Sequence, residues 1–227
     1  EKKGVKFHLE TKVTAVRPDV VVAECNGAVL EIPYEKLLVS VGRRAVTDGL
    51  GLETLGVKLE RGAITVDRYM QTSVSGIYAI GDVNGVSMLA HTAAHEGVVA
   101  VDHILGSKEE MRYHAIPGIV YSNPEIASVG RTEQELQQGG AAYQVHRVPM
   151  TLSGRFVIEN EQANGICKIL TDESGAILGV HLLGNGSSEI LVPAVMAVQC
   201  ALKLSDLAKV VFPHPTVCEV LRLAALH

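Results

Sequence analysis

The run Thr72 to Asp82, TSVSGIYAIGD, constrains this chain more than any other stretch. Ile77 to Ile80 read as a short apolar strand that stops at Gly81-Asp82. In open α/β sheets, ligands bind just outside the carboxyl ends of the strands. An Asp at such an end can accept hydrogen bonds from sugar-like hydroxyls, and a Gly lets a cofactor pass close to the backbone. A bare Gly-Asp after a strand is equally compatible with a plain turn; the whole run is far more specific.

Composition narrows the class. The 227 residues are 47% hydrophobic, which predicts a soluble globular protein of one to three modest domains. A formal net charge of -5 gives no basic footprint for nucleic acid. No apolar run approaches the roughly 20 residues needed to cross a bilayer, and no signal peptide is visible. Cys25, Cys167, Cys200 and Cys218 are far apart and fit neither a zinc spacing nor a closely spaced redox pair. They are expected to be reduced thiols, most of them in the core of a cytoplasmic protein, with no metal site. Aromatic residues make up only 4%, with no Trp, which disfavours stacking platforms for bases or sugars. Lys2-Lys3-Gly4-Val5 reads as a helix end entering a strand, so the chain is expected to start within a domain.

Short β-type runs with polar breaks fill the first part: Lys6 to Leu9, Val13 to Val16, Val20 to Ala23 and Val29 to Ile32. The apolar run Leu37 to Val41 predicts a strand covered on both faces. A helix is expected over Leu89 to Leu105, with small residues at Ala90, Ala93, Ala94 and Gly97 for close packing. Composition shifts after Gly106, and from about Tyr113 the pattern is α+β. Ile119 to Tyr121 and Ile126 to Val129 predict strands, and Thr132 with Glu135 forms a capping-box spacing at a helix start. Ile166 to Leu170 and Ile177 to Leu183 predict a hairpin about the turn Asp172 to Gly175. A helix from about Ser188 to Leu202 is apolar around most of its circumference and is expected to be buried on several sides. A shorter helix begins at Ser205.

A second constellation lies near the end, where Phe212 to Glu219 read FPHPTVCE. Pro213 and Pro215 stiffen the backbone on both sides of His214. One reading is purely structural: Thr216 and Glu219 have the spacing of a helix cap. The other is chemical. Glu219, about one turn into the helix, can reach one nitrogen of His214, fix its tautomer and stabilise the imidazolium. The second nitrogen is then left for acid-base work. An imidazole titrates near neutrality, which suits proton exchange with a thiol.

Both elements resemble motifs of the pyridine-nucleotide disulfide oxidoreductases: TSVSGIYAIGD their second flavin motif, HPTxxE their His-Glu dyad. Asn123 to Gly130 is similar to the opening of the family's dimerisation domain, and Gly184 to Glu189 to a later Gly-rich turn read as structural. The stretch Met88-Leu89-Ala90-His91 resembles the dihydrolipoamide dehydrogenase branch, where it begins the helix facing the flavin.

The resemblance implies an α/β and α+β fold in three parts: the end of a three-layer NAD-binding domain over 1–42, a central FAD-contacting segment over 43–110, and an α+β dimerisation domain over 111–227. It implies FAD held by Asp82, Met88, Leu89, Ala90 and His91, and NAD lined by Val13 and Gly42. His214 and Glu219 would act catalytically on the partner subunit's site in a homodimer. The partner protein would be the lipoyl domain of a 2-oxo acid dehydrogenase or glycine cleavage complex, with no nucleic acid and no membrane.

Three positions depart from the branch pattern: Phe212 where a second His is frequent, Cys218 where Ser is usual, and Thr92 where Lys is frequent. No G-x-G-x-x-G follows a strand, and no Cys-x4-Cys pair occurs. The chain is therefore expected to be the C-terminal half of a larger enzyme and inactive alone. A non-catalytic dimerisation module, or a flavin reductase of the glutathione-reductase, transhydrogenase or mercuric-reductase type, are the other readings.

Overall fold

A computed structural model describes residues 4–161 and 164–227, so the expectation for Lys2 and Lys3 lies outside the described residues. The chain divides into two compact units, residues 1–44 and 45–227. It is a mixed α/β protein.

The first unit is an antiparallel meander of β1 (Thr11–Val16), β2 (Val20–Cys25) and β3 (Ala28–Pro33). Asn26-Gly27 joins β2 to β3 with both residues at positive φ, the two-residue turn whose twist matches that of a hairpin. The middle strand carries the buried residues Val21, Val22 and Ala23. Two expected strands do not form. Lys6 to Leu9 is irregular, and Leu37 to Val41 has no regular secondary structure and makes no ladder among the described residues. A strand covered on both faces needs hydrogen-bonding neighbours, and the meander supplies none for Leu37 to Val41. Leu38 and Val41 are about nine-tenths exposed, at 88% and 91%.

The second unit opens with α1 (Leu52–Leu55) and the small hairpin of β4 (Leu59–Glu60) and β5 (Ala63–Ile64). The expected strand at Ile77 to Ile80 is an extended segment rather than a strand of an open sheet. It folds back on residues 70–72, with Thr72 N–H donating to Ile77 O and Ala79 N–H to Met70 O. Its alternation still holds. Ile77 and Ala79 belong with Leu52, Val57 and Ile64, while Tyr78 packs towards Met70, Val99 and Met111. A 3-10 turn, Gly81–Asn84, follows and packs against α2 (Ala90–Ile104), close to the expected helix bounds.

Five antiparallel strands then form a sheet in the order β6-β7-β10-β9-β8, with β6 at Gly118–Val120, β7 at Ile126–Gly130, β8 at Gln144–Pro149, β9 at Ile166–Thr171 and β10 at Ile177–Leu183. The predicted β9–β10 hairpin is present, its turn closed by Asp172 Oδ1, which accepts from Ser174 and Ala176. Helix α3 (Glu133–Gln138) has the full capping box: Glu135 N–H donates to Thr132 Oγ1, and Thr132 N–H to Glu135 Oε2. Helix α4 (Gly154–Glu159) lies between β8 and β9 in sequence.

The long helix expected from Ser188 is two, α5 (Ser187–Ile190) and α6 (Val192–Gln199). Pro193 occupies the first turn of α6 and cannot continue the α5 hydrogen-bond ladder. Helix α6 packs on β7 and β10, and α8 (Glu219–Leu226) on β8 and β9, with α7 (Leu204–Lys209) beside α8. Phe156, Ile169, Val180, Leu182, Ala194 and Leu221 form the centre of this core. Burial of α6 is one-sided: Ala194 and Ala197 are inside, whereas Val192 and Met196 are each 60% exposed. Cysteine placement also differs from expectation. Only Cys167 is buried, Cys25 and Cys218 are partly buried and Cys200 is exposed.

Gly130 and Gly179 face one another where β7 meets β10, and Arg131 N–H donates to Leu178 O at 2.8 Å just beyond. A Cβ on Gly179 would overlap the Arg131 carbonyl oxygen, and one on Gly130 would overlap that of Leu178. We expect Gly179→Ala to cost more than about 2 kcal/mol in urea unfolding, whereas Gly154→Ala, which points into open space, changes it by less than about 0.5 kcal/mol.

Candidate functional site

Helix α8 starts at Glu219, so its carboxylate stands at the first helical position rather than a turn inside. Its two oxygens are divided. Oε1 lies 2.8 Å from His214 Nδ1, and Oε2 accepts the Thr216 backbone N–H at 2.9 Å. A carboxylate only accepts, so the hydrogen of this imidazole sits on Nδ1 whenever the ring is neutral, and Nε2 is the free lone pair. The Thr216 amide, first, and the His214 ring, second, hold the Glu219 carboxyl below the usual carboxylate range. The His214 side chain is 77% exposed, while that of Glu219 is 20% exposed. The partly buried carboxylate end is fixed and the imidazole end is open.

The hydroxyl of Thr216 is not the reciprocal cap that its spacing suggested. It donates to Pro213 O and so closes the loop around His214. A residue that the sequence did not reveal secures the same loop from outside. Ser153, fully buried, accepts from Phe156 N–H as the cap of α4 and donates to Thr216 O at 2.9 Å. The loop lies between two hollows. One, of about 290 Å³, is lined by Lys209, Phe212, Glu219 and Arg222; the other, of about 430 Å³, by Arg155, Glu189, Pro215 and Cys218. Burial pushes the Cys218 thiol up, and it pushes that of Cys167 up to about 12. Neither is set up as a thiolate nucleophile.

The second candidate cluster is built on the turn before α2. Gly81 is at φ 75, and the Asp82 side chain is exposed, with no hydrogen bond among the described residues. Helix α2 begins without a side-chain cap, leaving the amides after Leu89 unpaired by any side chain. Leu89, Ala90 and His91 are exposed there and Met88 is half-buried. The His91 ring points elsewhere, its Nε2 donating to Pro117 O at 2.9 Å, so its backbone rather than its imidazole faces the helix start. An open carboxylate beside an uncapped helix N-terminus suits a ligand that combines hydroxyls with negative charge.

Sequence reading missed what holds this turn. Glu96, fully buried on α2, accepts at Oε2 from Gly81 N–H (2.6 Å) and Asn84 Nδ2 (2.9 Å), and at Oε1 from the Tyr113 hydroxyl (2.6 Å). Burial and the Glu96 carboxylate raise the Tyr113 hydroxyl above the usual tyrosine range, which keeps it a donor.

Val13 and Gly42 are both in the first unit. Val13 is exposed on β1, Gly42 lies in the irregular segment after β3 at φ 106, and no hydrogen bond among the described residues joins them. The Gly184 to Glu189 turn is tied to Glu125, whose carboxylate accepts from Ser188 N–H and Oγ. Among the described residues, no group of three or more His, Cys, Asp or Glu is placed to hold a metal ion, and no helix is long and apolar enough to cross a membrane.

Comparisons with known proteins place the chain in a family. Residues 1–97 match the family model for pyridine nucleotide-disulphide oxidoreductases, and residues 116–225 match the model for their dimerisation domain. The chain is 39% identical to dihydrolipoyl dehydrogenase of Manduca sexta, over 99% of its own length and 47% of that protein. It is 36% identical to dihydrolipoyl dehydrogenase 3 of Pseudomonas putida, over 100% of its length and 50% of that protein. Its fold superposes on the crystal structure of LpdA from Mycobacterium tuberculosis with a TM-score of 0.84 at 29% identity, covering 99% of this chain and 50% of that one. The HOCl-induced flavoprotein disulfide reductase RclA of Escherichia coli gives 0.79 at 28% identity, covering 92% and 48%. The chain thus spans about half the length of the relatives it matches. Matched by both models over most of its residues, it belongs to the pyridine nucleotide-disulphide oxidoreductase family.

Proposed function

We propose that the intact protein carrying this chain is a flavin-dependent disulfide oxidoreductase that oxidises dihydrolipoamide with NAD+. The observation that carries this reading is the His214–Glu219 pair, with Nδ1 held at 2.8 Å and Nε2 open to solvent. Such an imidazole can take a proton from a substrate thiol at Nε2 while Glu219 stabilises the imidazolium. The product is a thiolate, the nucleophilic form that attacks disulfides. FAD, when bound, supplies the electron transfer between the dithiol and NAD+. Asp82 would hold its hydroxyls, and the start of α2, from Met88 to His91, its electron-rich edge. Val13 and Gly42 would line the NAD site.

The division at residues 42 and 110 into the end of an NAD domain, a central segment and an interface domain is part of the same reading. So is a homodimer in which His214 serves the partner subunit's site. The match to a dimerisation domain and the exposed Val192 and Met196, one turn apart on α6, support a subunit interface. The lipoyl domain of a 2-oxo acid dehydrogenase or glycine cleavage complex is the proposed substrate carrier. Four cysteines without a disulfide fit a cytoplasmic setting.

Sequencing the reading frame upstream of Glu1 is the first test. Two G-x-G-x-x-G elements and a Cys-x4-Cys pair are expected; a start codon immediately upstream would remove the catalytic reading. In the intact protein, His214→Gln should lower dihydrolipoamide oxidation by about a hundredfold or more, yet leave NADH-driven quinone reduction within about threefold. Dithiol turnover that survives the change would overturn the assigned role.

The proton acceptor also makes a spectroscopic prediction. The Glu219 carboxyl should titrate below free glutamate by carbon NMR. His214→Ala should raise its midpoint only part of the way, because the Thr216 amide is the larger cause. Since the folded value is depressed, the stability this group adds is complete above the ordinary glutamate range and lost as pH falls through the lower, folded value.

A further inference from the structure

Glu96 has no part in the proton transfer above, yet it is fully buried and all three of its partners are donors. Those partners lie on separate segments: Gly81 and Asn84 at the two ends of the 3-10 turn that carries Asp82, and Tyr113 beyond the end of α2. Glu96 itself stands in the middle of α2, and the Met88 to His91 stretch leads into that helix, with Ala90 and His91 as its first two residues. One side chain therefore fixes the turn with Asp82 against the helix with the second candidate flavin contact.

We infer that Glu96 is the positioning residue of the flavin site, holding Asp82 in register with the N-terminal end of α2. This rests on the flavin reading of Asp82. The arrangement calls for an acceptor-only group, which among neutral side chains none supplies in full. Glutamine comes near. Its oxygen can accept from Gly81 N–H and Asn84 Nδ2, and its NH2 can donate to the Tyr113 oxygen. The Tyr113 hydrogen then turns to Met70 Sδ, which already lies 3.6 Å away. Methionine fills the same space and accepts almost nothing. Gln and Met thus separate hydrogen bonding from packing.

The test uses the intact protein, stripped of flavin and titrated with FAD. Its readouts are the FAD dissociation constant, the visible circular dichroism of the bound flavin and the unfolding midpoint of the flavin-free form. Glu96→Gln should keep FAD affinity within about threefold, and Glu96→Met should weaken it about tenfold or more with an altered flavin spectrum. Asn84→Ala removes one donor without touching the helix and should weaken binding in the same direction by a smaller factor. It decides the matter if Glu96→Met does not fold. Equal behaviour of Gln and Met, or affinity unchanged in both Glu96→Met and Asn84→Ala, overturns the inference. Asp82→Ala is the control for its basis. If that variant binds FAD normally, the flavin reading of Asp82 fails. If it binds poorly while Glu96→Met and Asn84→Ala bind normally, only the positioning role fails.

Discussion

The division of labour between the two oxygens of Glu219 is the interaction on which the candidate chemistry depends. One oxygen is committed to the Thr216 amide and so to the backbone; the other meets the imidazole. Because the first bond is to main chain, the second is aimed without any side-chain partner having to order itself. Ser153 adds a tie from α4 to the carbonyl of the same residue, Thr216. The loop is thereby held at both polar groups of one peptide position, and the ring beyond it stays exposed. A backbone-anchored support under an exposed imidazole leaves Nε2 accessible from outside, as the proposed thiol chemistry needs.

Glu96 solves a different problem with the same side chain. Among the described residues it forms no ion pair; three hydrogen bonds offset its burial. Glu219 orders a loop at the surface, whereas Glu96 joins segments that approach only in the folded unit. Neither carboxylate belongs to the large apolar core around Phe156 and Leu182, although Glu219 directly precedes its members Val220 and Leu221.

How much was legible follows from contact distance along the chain. The capping box of Thr132 and Glu135 and the Asp172 turn are complete within a few residues, and both were readable. His214 and Glu219 were readable for the same reason. Glu96 was not, because its partners are 12 to 17 residues away and the residue looks like any polar position on a helix. The bond from Ser153 to Thr216 spans 63 residues and left no local trace. Leu37 to Val41 was misread because an apolar run specifies a strand only in the presence of neighbours to pair with. Ile77 to Ile80 has the right alternation, but its partner is the adjacent segment and not an open sheet. After Gly186 the apolar pattern runs on without a break, and it is Pro193 that divides the helix in two.

The exposed apolar run Leu37 to Val41 has a consequence for the chain as a material. It presents apolar side chains together with a row of amides and carbonyls that belong to no ladder among the described residues. Such a row is a template for strand addition by any second chain in an extended state. Among identical chains, it offers a route to intermolecular β-pairing, opposed by the charges that flank it at Lys36, Arg43 and Arg44. Self-association of this polypeptide thus has a route through five residues that lie far in sequence from both Asp82 and His214.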